Sequence, residues 1–441
     1  MSSLNEFSER VSAQIAPLLP AHSSILVGLS GGVDSVVLLH LLKELSARFS
    51  WQLTALHVHH GISRNADEWA RFCAELCARH HISLHIEHVD IAPLRAHGIE
   101  AAARKLRHAA FARQSSDFVA LAHHADDQVE TLLLQLLRGA GVRGASAMPQ
   151  LAERAGSVPL VRPLLNCSRR EILDYAEAHQ LQWIEDESNA DDNYPRNFLR
   201  HRVLPLLGER FPAYRDTLSR SARHFAEASM LLDELAQQDA AQAIEDGTLA
   251  VAALQALSPP RAKNLLRYFL HGAGAPMPQA TRLDDMLRQL CAARKDATVC
   301  ISYGDWQVRR YQDKVYALRA MGGFDRNFVL PWHGETELDW PALNMQLHFK
   351  HIESSGISLA KLQRAPVTLR LRQGGEVLRP QPNAATRTLK NLLQEHRVPP
   401  WQRDRLPLLY CGEELVCMPG VAIAAEYQAA AKETGMQMLY E

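Results

Sequence analysis

The chain has 441 residues, 47% of them hydrophobic, which is enough for about three domains with substantial cores. Its formal net charge is -1, so the overall charge neither favours nor excludes a nucleic-acid partner, and any basic surface must be local. The seven cysteines include no C-x-x-C pair, which argues against a disulfide framework and against a four-thiolate metal site. The polar, acidic start argues against a signal peptide, and no apolar run is long enough to span a membrane. A cytoplasmic protein is therefore expected.

Short apolar runs alternate with helical patterns over the first part of the chain. The strand-like runs lie at 25–29, 53–58, 84–89 and 118–122, and the helical patterns at 33–47, 65–80, 99–114 and 126–138. A further apolar run at 158–165 precedes another helical pattern. This βαβα order predicts an α/β fold with a mostly parallel, Rossmann-like sheet, and residues 1–215 are predicted to form the first domain.

The composition and the hydrophobic spacing of the sequence change after residue 215. Residues 216–322 are Ala- and Leu-rich with helical spacing, and they end in an alternating pattern around Gly304-Asp305 that predicts a hairpin. Residues 323–441 have short strand-like runs and many prolines. A small, mainly helical domain and a mixed α+β C-terminal domain are therefore predicted, with the boundary between them the least marked.

The first strand-like run leads into a glycine-containing loop with the sequence SGGVDS. Its glycines allow a sharp turn and the close approach of a ligand, and the helix that begins here directs unpaired N–H groups and its positive dipole end at the turn. The serine hydroxyls add donors. The loop is therefore predicted to bind the phosphates of a nucleotide, and an ordinary strand–helix turn is the alternative. The predicted nucleotide-binding residues, for which the resemblance described below implies ATP, are Ser30, Gly31, Gly32, Val33, Asp34 and Ser35.

Two further features of this loop narrow its chemistry. It lacks the lysine of a Walker-type P-loop, which disfavours that class of NTPase. It also places an acid, Asp34, in an anion site, where phosphate repels it unless a metal ion bridges the two. Because Mg²⁺ prefers oxygen ligands and phosphates, Asp34 is predicted to be a magnesium ligand.

Three histidines, His57, His59 and His60, close the second predicted strand at the edge where α/β proteins bind ligands. A metal site is one interpretation. However, His57 and His59 point to one face of the strand and His60 to the other, and no carboxylate or thiolate completes the set. Nucleotide contact or plain packing is favoured over a metal site.

The fourth predicted strand is followed by HHADDQVETLLLQLL, residues 123–137. The apolar residues form one stripe of a helix, with Asp127 on the opposite side and Glu130 at the margin of the stripe. Acids are thus presented at the carboxyl edge of the sheet, beside the phosphate loop. Asp127 is predicted to serve a metal ion or the substrate, whereas capping of the helix explains Asp126 well and Asp127 less well.

Two helical patterns carry arginines that could contact RNA. Arg104 and Arg107 share one side of a helix with Glu100, and a surface Glu100–Arg104 pair explains part of this pattern equally well. Arg196 and Arg200 follow an acidic loop and could clamp phosphate groups in a bidentate manner.

The segment 361–405 is locally basic, with ten Lys/Arg against three Asp/Glu and a formal charge of +7. Docking on a phosphate backbone requires such a patch, although a charge run is more often a solvated face. Arg387 and Lys390 within the segment are predicted RNA contacts. Trp401 is either a core residue, the favoured interpretation, or a platform for base stacking.

The loop SGGVDS resembles the PP-loop of the N-type ATP pyrophosphatases, which split ATP to AMP and pyrophosphate. The ordered set SGGVDS, HVHHG, GIEAAARKLR, HHADDQVET and EDESN…DNYPRNFLR resembles the tRNA(Ile)-lysidine synthases (TilS). The similarity continues in TLKNLLQEHRVPPWQRDRLPLLY and touches all three predicted domains. One departure is that the last segment has only Lys390 where the family often has a lysine-rich run, which leaves its tRNA contact open.

The resemblance implies that ATP, with Mg²⁺, adenylates the wobble cytidine of an isoleucine tRNA with a CAU anticodon, and that L-lysine then displaces AMP. It implies Asp34 and Asp127 as the catalytic and metal carboxylates, and Glu130 as a candidate for holding lysine. The arginines and the lysine named above are the expected tRNA contacts. Discrimination against the methionine tRNA cannot be located in the sequence, and a homodimer is compatible with it.

Two other functions were weighed against this one. A PP-loop tRNA thiolase needs catalytic or cluster cysteines, which this sequence does not supply. A non-catalytic protein that binds adenine nucleotides is disfavoured by the intact acids and the basic C-terminal segment.

Overall fold

The computed structural model describes residues 2–61, 63–93, 99–154, 157–294, 297–320 and 322–440. The chain divides into two compact units, Met1–Leu235 and Ala236–Glu441, and each is described by itself. The three-domain division expected from the sequence stays a prediction.

The first unit contains the predicted alternation of strands and helices. Its strands are β1 Ser24–Gly28, β2 Gln52–His59, β3 Ser83–His88, β4 Phe118–Ala120, β5 Leu151–Arg154 and β6 Ser157–Val161. Its helices are α1 Ser2–Ile15, α2 Val33–Phe49, α3 Ala66–Arg79, α4 Ile99–Ala112, α5 Ala125–Leu137, α6 Val142–Ala145, α7 Arg169–Ala178, α8 Pro195–Phe198 and α9 Leu204–Arg210, and the division between the units falls within α10 Tyr214–Ala240.

The described strands of this unit form one sheet in the order β3-β2-β1-β4-β6-β5. Neighbours from β3 to β6 run parallel, with Val27 of β1 opposite Ala55 on one side and Ala120 on the other. The α/β fold with a mostly parallel sheet is thereby confirmed. Strand β5 pairs antiparallel with β6 and was not predicted, because four residues reading LAER carry no apolar periodicity.

Both faces of this sheet are covered, as parallel sheets require. Ile25 and Val27 of β1 point into an apolar cluster with residues of α1, α2 and α7. Leu26, between them in sequence, points to the other face and packs in a cluster with Phe111 of α4. This alternation places the sheet in the middle layer and leaves the ends of its strands as the accessible edge.

The strand order reverses between β1 and β4, since the chain moves outward from β1 to β3 and then returns to the other side of β1. In open α/β sheets, ligands bind outside the carboxyl ends of the strands at such a switch point. The phosphate loop follows β1 and the HHADD segment follows β4, so the fold brings the two together.

The second unit begins with helices packed on a small sheet. Its helices are α11 Val251–Ala256, α12 Pro259–Gly272, α13 Ala280–Ala292, α14 Leu359–Leu362, α15 Leu389–Glu395 and α16 Pro400–Arg403. Its first strands are β7 Ile244–Glu245, β8 Thr248–Ala250, β9 Val299–Tyr303, β10 Trp306–Tyr311 and β11 Lys314–Arg319. These five pair in the order β7-β8-β11-β10-β9, so the hairpin predicted around Gly304-Asp305 lies within a larger sheet. The short strands β7 and β8 were missed because two or three residues show no periodicity.

The rest of the second unit is a β-rich region with short helices, around an apolar cluster that includes Trp340, Leu369 and Met436. Its strands are β12 Leu330–Trp332, β13 Glu337–Trp340, β14 Met345–Glu353, β15 Ile357–Ser358, β16 Val367–Arg370, β17 Val377–Leu378, β18 Arg387–Thr388, β19 Leu408–Cys411, β20 Glu414–Met418, β21 Ala422–Ile423 and β22 Thr434–Tyr440. The two main sheets follow the orders β12-β16-β19-β20-β21 and β13-β14-β22-β15. This mixed α+β arrangement agrees with the prediction. None of the helices in the described residues combines the length and apolar character that a membrane crossing requires.

Candidate active site

The loop between β1 and α2 is shaped by its own side chains. Gly31 has a φ of +90°, in the left-handed region that favours glycine, and a Cβ at this position would lie 2.8 Å from Cδ1 of Ile184. The hydroxyl of Ser35 accepts the backbone N–H groups of Ser30 and Gly31 at 3.2 and 3.1 Å and donates to the carbonyl of Gly32 at 2.9 Å. Ser35 therefore holds the loop from inside, and its direct contact with ATP stays a prediction.

The first turn of α2 is left open toward the ligand side. Gly32 is the N-cap residue and provides no side-chain cap, so the first N–H groups of the helix, beginning with those of Val33 and Asp34, lack the partner that a capping side chain supplies. Together with the positive end of the helix dipole, these groups form an anion site. The structure thus leaves these N–H groups open at the position that the sequence indicated, and their binding of phosphate stays a prediction.

Asp34 lies in the first turn of α2 with its side chain 29% exposed. Its Oδ1 atom is buried and has no hydrogen-bond partner among the described residues, and it lies 3.7 Å from Nε2 of His124. Burial raises the pKa of the Asp34 carboxyl above its usual range. An unpartnered, buried carboxylate oxygen beside an anion site fits a hard cation such as Mg²⁺, which takes oxygen ligands from carboxylates and phosphates together.

Asp127 reaches the same place from the other side of the switch point. It lies in the first turn of α5, and its Oδ2 accepts the backbone N–H of His124 at 3.0 Å and lies 3.5 Å from Nε2 of that imidazole. The fully buried His124 ring thus stands between the two predicted carboxylates, Asp34 and Asp127. Burial acts to raise the pKa of the Asp127 carboxyl, but the charges of His124 and Arg196 outweigh burial and lower that pKa.

A network of two acids and two arginines stands behind Asp127. Nη2 of Arg196 lies 2.8 Å from Oδ1 of Asp127, and Nε of Arg196 lies 2.6 Å from Oε2 of Glu130. Arg200 donates to both oxygens of Glu130, at 2.7 and 3.0 Å. Glu130 has no exposed surface, so the structure places it as the anchor of both arginines, and its binding of lysine stays a prediction.

Local helix geometry brings both arginines onto these acids. Arg196 lies in α8, and the chain continues through a π-helical turn, Leu199–Val203, that contains Arg200. Such turns widen a helix and occur frequently at functional sites. The sequence indicated that both arginines could grip phosphate, but it did not indicate their pairing with Glu130. The one available signal was that the acids at 127 and 130 are three residues apart and the arginines at 196 and 200 four apart, so that each pair lies on one side of a helix.

Asp126, the neighbour of Asp127, has a structural role. One of its oxygens accepts the backbone N–H of Arg169 at 3.0 Å at the start of α7, and the other binds the guanidinium of Arg215. The capping of α5 that the sequence favoured for Asp126 is thus made by Asp127, whose side chain accepts the N–H of the N-cap residue His124, and Asp126 instead caps α7.

The histidines at the end of β2 are held by separate partners. Nδ1 of His57 lies 2.9 Å from the carbonyl oxygen of Leu29, and Nε2 of His59 lies 3.0 Å from Oδ1 of Asp67. Burial and the charge of Arg107 lower the pKa of His60 to about 4. Within the described ranges, one group of three or more His, Cys, Asp or Glu side chains is close enough to share a metal ion, namely His40, Glu44 and His179. The histidines of β2 do not belong to this group.

The remaining predicted contacts fall into two places. Arg107 lies within electrostatic range of His60, and Arg104 within range of His123, so α4 directs both arginines toward the carboxyl edge of the sheet. The side chain of Glu100 lies outside the described residues. Arg387 and Lys390 belong to the second unit, where Arg387 is ion-paired with Glu395 and Lys390 is exposed, and their contact with tRNA stays a prediction.

Comparison with protein families covers most of the chain. A family model described as a PP-loop domain matches residues 4–207. A model described as the TilS substrate binding domain matches residues 249–316, and one described as the TilS substrate C-terminal domain matches residues 367–440.

Curated relatives match over nearly their whole length. A protein named tRNA(Ile)-lysidine synthase from Nitrosomonas europaea is 43% identical over 98% of this chain and 93% of its own. Proteins of the same name from Coxiella burnetii and Escherichia coli O157:H7 are 38% and 40% identical, each over 95% of this chain and over 93% and 96% of their own.

Solved structures are more distant. The U34-tRNA thiolase NcsA from Methanococcus maripaludis with its [4Fe-4S] cluster matches 51% of this chain and 80% of its own, at 20% identity and a TM-score of 0.45. A crystal structure of a TilS C-terminal domain matches 26% of this chain and 96% of its own, at 17% identity and a TM-score of 0.23. Both likenesses are too distant to carry an argument about this site.

Proposed function

The chain belongs to the tRNA(Ile)-lysidine synthase family, and we propose that it joins L-lysine to the wobble cytidine of an isoleucine tRNA with a CAU anticodon, using ATP. The modification changes codon recognition from AUG to AUA. The observation that carries the proposal is that the PP-loop meets His124 and Asp127 at the switch point of the sheet. The loop contributes the open N-terminus of α2 and the unpartnered oxygen of Asp34.

The reaction has two steps. The C2 oxygen of the cytidine attacks the α-phosphate of ATP, the bond to the β-phosphate oxygen breaks, and pyrophosphate leaves. The lysine ε-amine, having lost a proton, then attacks C2; the C2–O bond breaks and AMP leaves with that oxygen. Adenylation is needed because a carbonyl oxygen is a poor leaving group.

The loop supports the first step by holding the pyrophosphate half of ATP. The first N–H groups of α2 and the helix dipole stabilise negative charge that grows on the departing pyrophosphate. Because no lysine is present to grip a terminal phosphate, the loop leaves the α-phosphate as the centre of the chemistry.

Asp34 and Asp127 are proposed to hold Mg²⁺, which would neutralise phosphate charge when bound. Asp34 offers the free oxygen. The lowered pKa of Asp127 keeps it ionised, so it suits an electrostatic role better than proton transfer.

The cysteines disfavour a tRNA thiolase. Cys73 lies closest to the loop, where its Sγ would lie 3.3 Å from a Cβ at position 31, and burial raises its pKa to about 12. A thiol with such a pKa is protonated at neutral pH and is a poor nucleophile. All seven cysteines are free thiols, which fits the reducing cytoplasm proposed for the protein.

The test is a single incubation of the full chain with ATP, labelled lysine and unmodified isoleucine tRNA. We expect tRNA-dependent release of AMP with label in the tRNA. Transfer of sulfur from a donor would support a thiolase, and binding of ATP without turnover would support a nucleotide-binding protein; either outcome overturns the proposal. Sedimentation of the same sample tests the proposed homodimer.

A further inference from the structure

A cavity of about 170 Å³ in the second unit is lined by basic and aromatic side chains. Arg309 and Arg319 come from the hairpin of β10 and β11, Arg405 follows α16, and Phe324 and Trp401 complete most of the wall. No acidic residue is among its lining residues.

The alternation of β10 produces the cationic face of the cavity. Val308 and the side chain of Arg310 are buried on the core side of the strand, whereas Gln307 and Arg309 point to the opposite side. Trp401 packs edge-on over this opposite side, with its ring 5.1 Å from that of Tyr316 on β11. A segment 90 residues further along the chain thus covers the hairpin and encloses the cavity.

The three cavity arginines are held by aromatic rings and neutral oxygens. Arg309 lies 5.0 Å from the ring centre of Trp401 and donates to the side-chain oxygen of Gln307. Arg405 lies 4.7 Å from the ring centre of Phe324 and donates to the carbonyl of Gly322.

Arg319 completes the set, 5.8 Å from the ring centre of Trp306. In the part of the chain that the structure describes, none of these three guanidinium groups forms an ion pair with a carboxylate. The cavity therefore carries three positive charges that nothing on its wall neutralises.

Several other arginines of this region have carboxylate partners. Arg370 pairs with Glu413, Arg379 with Glu426, and Arg387 with Glu395. Part of the basic excess that the sequence shows over residues 361–405 is thus compensated by local ion pairs. The three cavity arginines have no such pair among the described residues.

Trp401 gives the cavity an aromatic wall beside the guanidinium group of Arg309. Planar guanidinium and aromatic groups are also the surfaces on which unstacked bases pack.

We propose that this cavity binds one unstacked nucleotide of the RNA substrate, with its phosphate held by Arg319 and Arg405 and its base packed against the Arg309–Trp401 pair. The proposal rests on the proposed function for the identity of the RNA. A duplex does not fit, because its bases are stacked inside and cannot reach an aromatic wall.

The test compares the cavity variants Arg319→Gln and Arg405→Gln with a control variant, Arg379→Gln. Arg379 is already ion-paired with Glu426. The dissociation constant of the complex with unmodified isoleucine tRNA is measured by filter binding at several salt concentrations. Each cavity variant should bind about tenfold more weakly and lower the salt slope by about 1, because one phosphate contact is lost. Arg379→Gln should bind as the parent chain does.

Three results overturn the proposal. The first is binding of tRNA by the cavity variants with the parent affinity and salt slope. The second is an equal loss of affinity in all three variants, which would indicate a diffuse basic face. The third is a calorimetric titration with AMP in which only the cavity variants lose a nucleotide site while their tRNA binding is unchanged, which would indicate a free nucleotide as the occupant.

Lysine transfer at saturating tRNA separates this inference from the proposed function. If the parent chain transfers no lysine, the function fails while the RNA-binding result still decides the cavity. If the parent is active, the cavity variants should keep its rate at saturation. Arg319→Lys keeps the charge, so partial recovery of tRNA binding is expected, and thermal unfolding confirms that each variant is folded.

Discussion

Asp34 and His124 face each other across the switch point of the sheet, with 3.7 Å between Oδ1 of Asp34 and Nε2 of His124. This distance is too long for a hydrogen bond, and Oδ1 has no other partner among the described residues. The same imidazole lies near Asp127, which is fully engaged. Removing the charge of Asp34 and removing that of Asp127 should therefore affect the stability of the protein differently.

We expect Asp34→Asn to reduce the rate of AMP formation by about two to three orders of magnitude, while the protein stays folded and binds tRNA. Since the raised pKa of Asp34 means that its ionised form is disfavoured in the folded state, its contribution to stability is lost as the pH rises through that pKa. The amide should therefore unfold at an equal or higher temperature than the parent at neutral pH. A variant that turns over normally would remove Asp34 from the site.

Asp127→Asn should also lose activity, but with a cost in stability of about 1–3 kcal/mol, because Arg196 loses a charged partner in a largely buried network. Thermal unfolding and AMP release measured on one preparation separate the two effects. Near-normal turnover of Asp127→Asn contradicts its assignment as a catalytic or metal carboxylate.

Glu130→Gln should destabilise the first unit more strongly, by about 3–5 kcal/mol, because two guanidinium groups then face a buried neutral amide. Denaturant unfolding followed by a probe in that unit measures this. Glu185→Gln, an exchange at a carboxyl outside this network, is the matched control. If Glu130→Gln keeps full stability and raises only the KM for lysine, Glu130 holds the substrate as the sequence indicated.

Gly31→Ala should weaken ATP binding by about tenfold or more, since alanine at a φ of +90° is strained and its Cβ would lie 2.8 Å from Ile184. Gly32→Ala is the control: its backbone has a φ of -70° and its nearest contact is 3.6 Å, so the side chain fits. Equilibrium binding of a non-hydrolysable ATP analogue distinguishes them. Equal losses in both variants would mean that any side chain blocks the loop.

The apparent affinity for Mg²⁺ with nucleotide should fall as the pH is lowered toward the raised pKa of Asp34. Proton and cation compete for the same oxygen, so the protonated carboxyl cannot serve as a ligand. Titrations of Mg²⁺ at several pH values measure the effect, and Asp34→Asn should remove most of it. A parent protein whose affinity is flat across this range would exclude Asp34 as a magnesium ligand.

His123 should make the first unit sensitive to acid. Burial lowers its pKa to about 3, against an ordinary value of 6.5. The unfolded chain therefore takes up the proton first, and the contribution to stability that is present above pH 6.5 is lost as the pH falls toward about 3. NMR titration of the His123 ring should show it neutral at pH 5, and His123→Gln should unfold less readily in acid than the parent.

The sequence predicted the parts of the site that depend on periodicity. Apolar runs located β1 and β4, and the carboxyl ends of parallel strands necessarily share one edge, which brought Asp34 and Asp127 together. Pairing between distant segments leaves no such pattern: Arg200 meets Glu130 across 70 residues, and only the folded backbone shows it. The cavity beside Trp401 was missed for the same reason, since its wall is assembled from β10, β11 and α16.

The hydroxyl of Ser35 has a kinetic consequence. Because it already accepts two backbone N–H groups, the loop has its final shape before a nucleotide arrives. Association of ATP then needs no ordering step in this loop, and differences in affinity among loop variants that keep Ser35 should appear as differences in residence time. A chain with alanine at position 35 would have to reorganise the loop at each encounter, and its association would slow down.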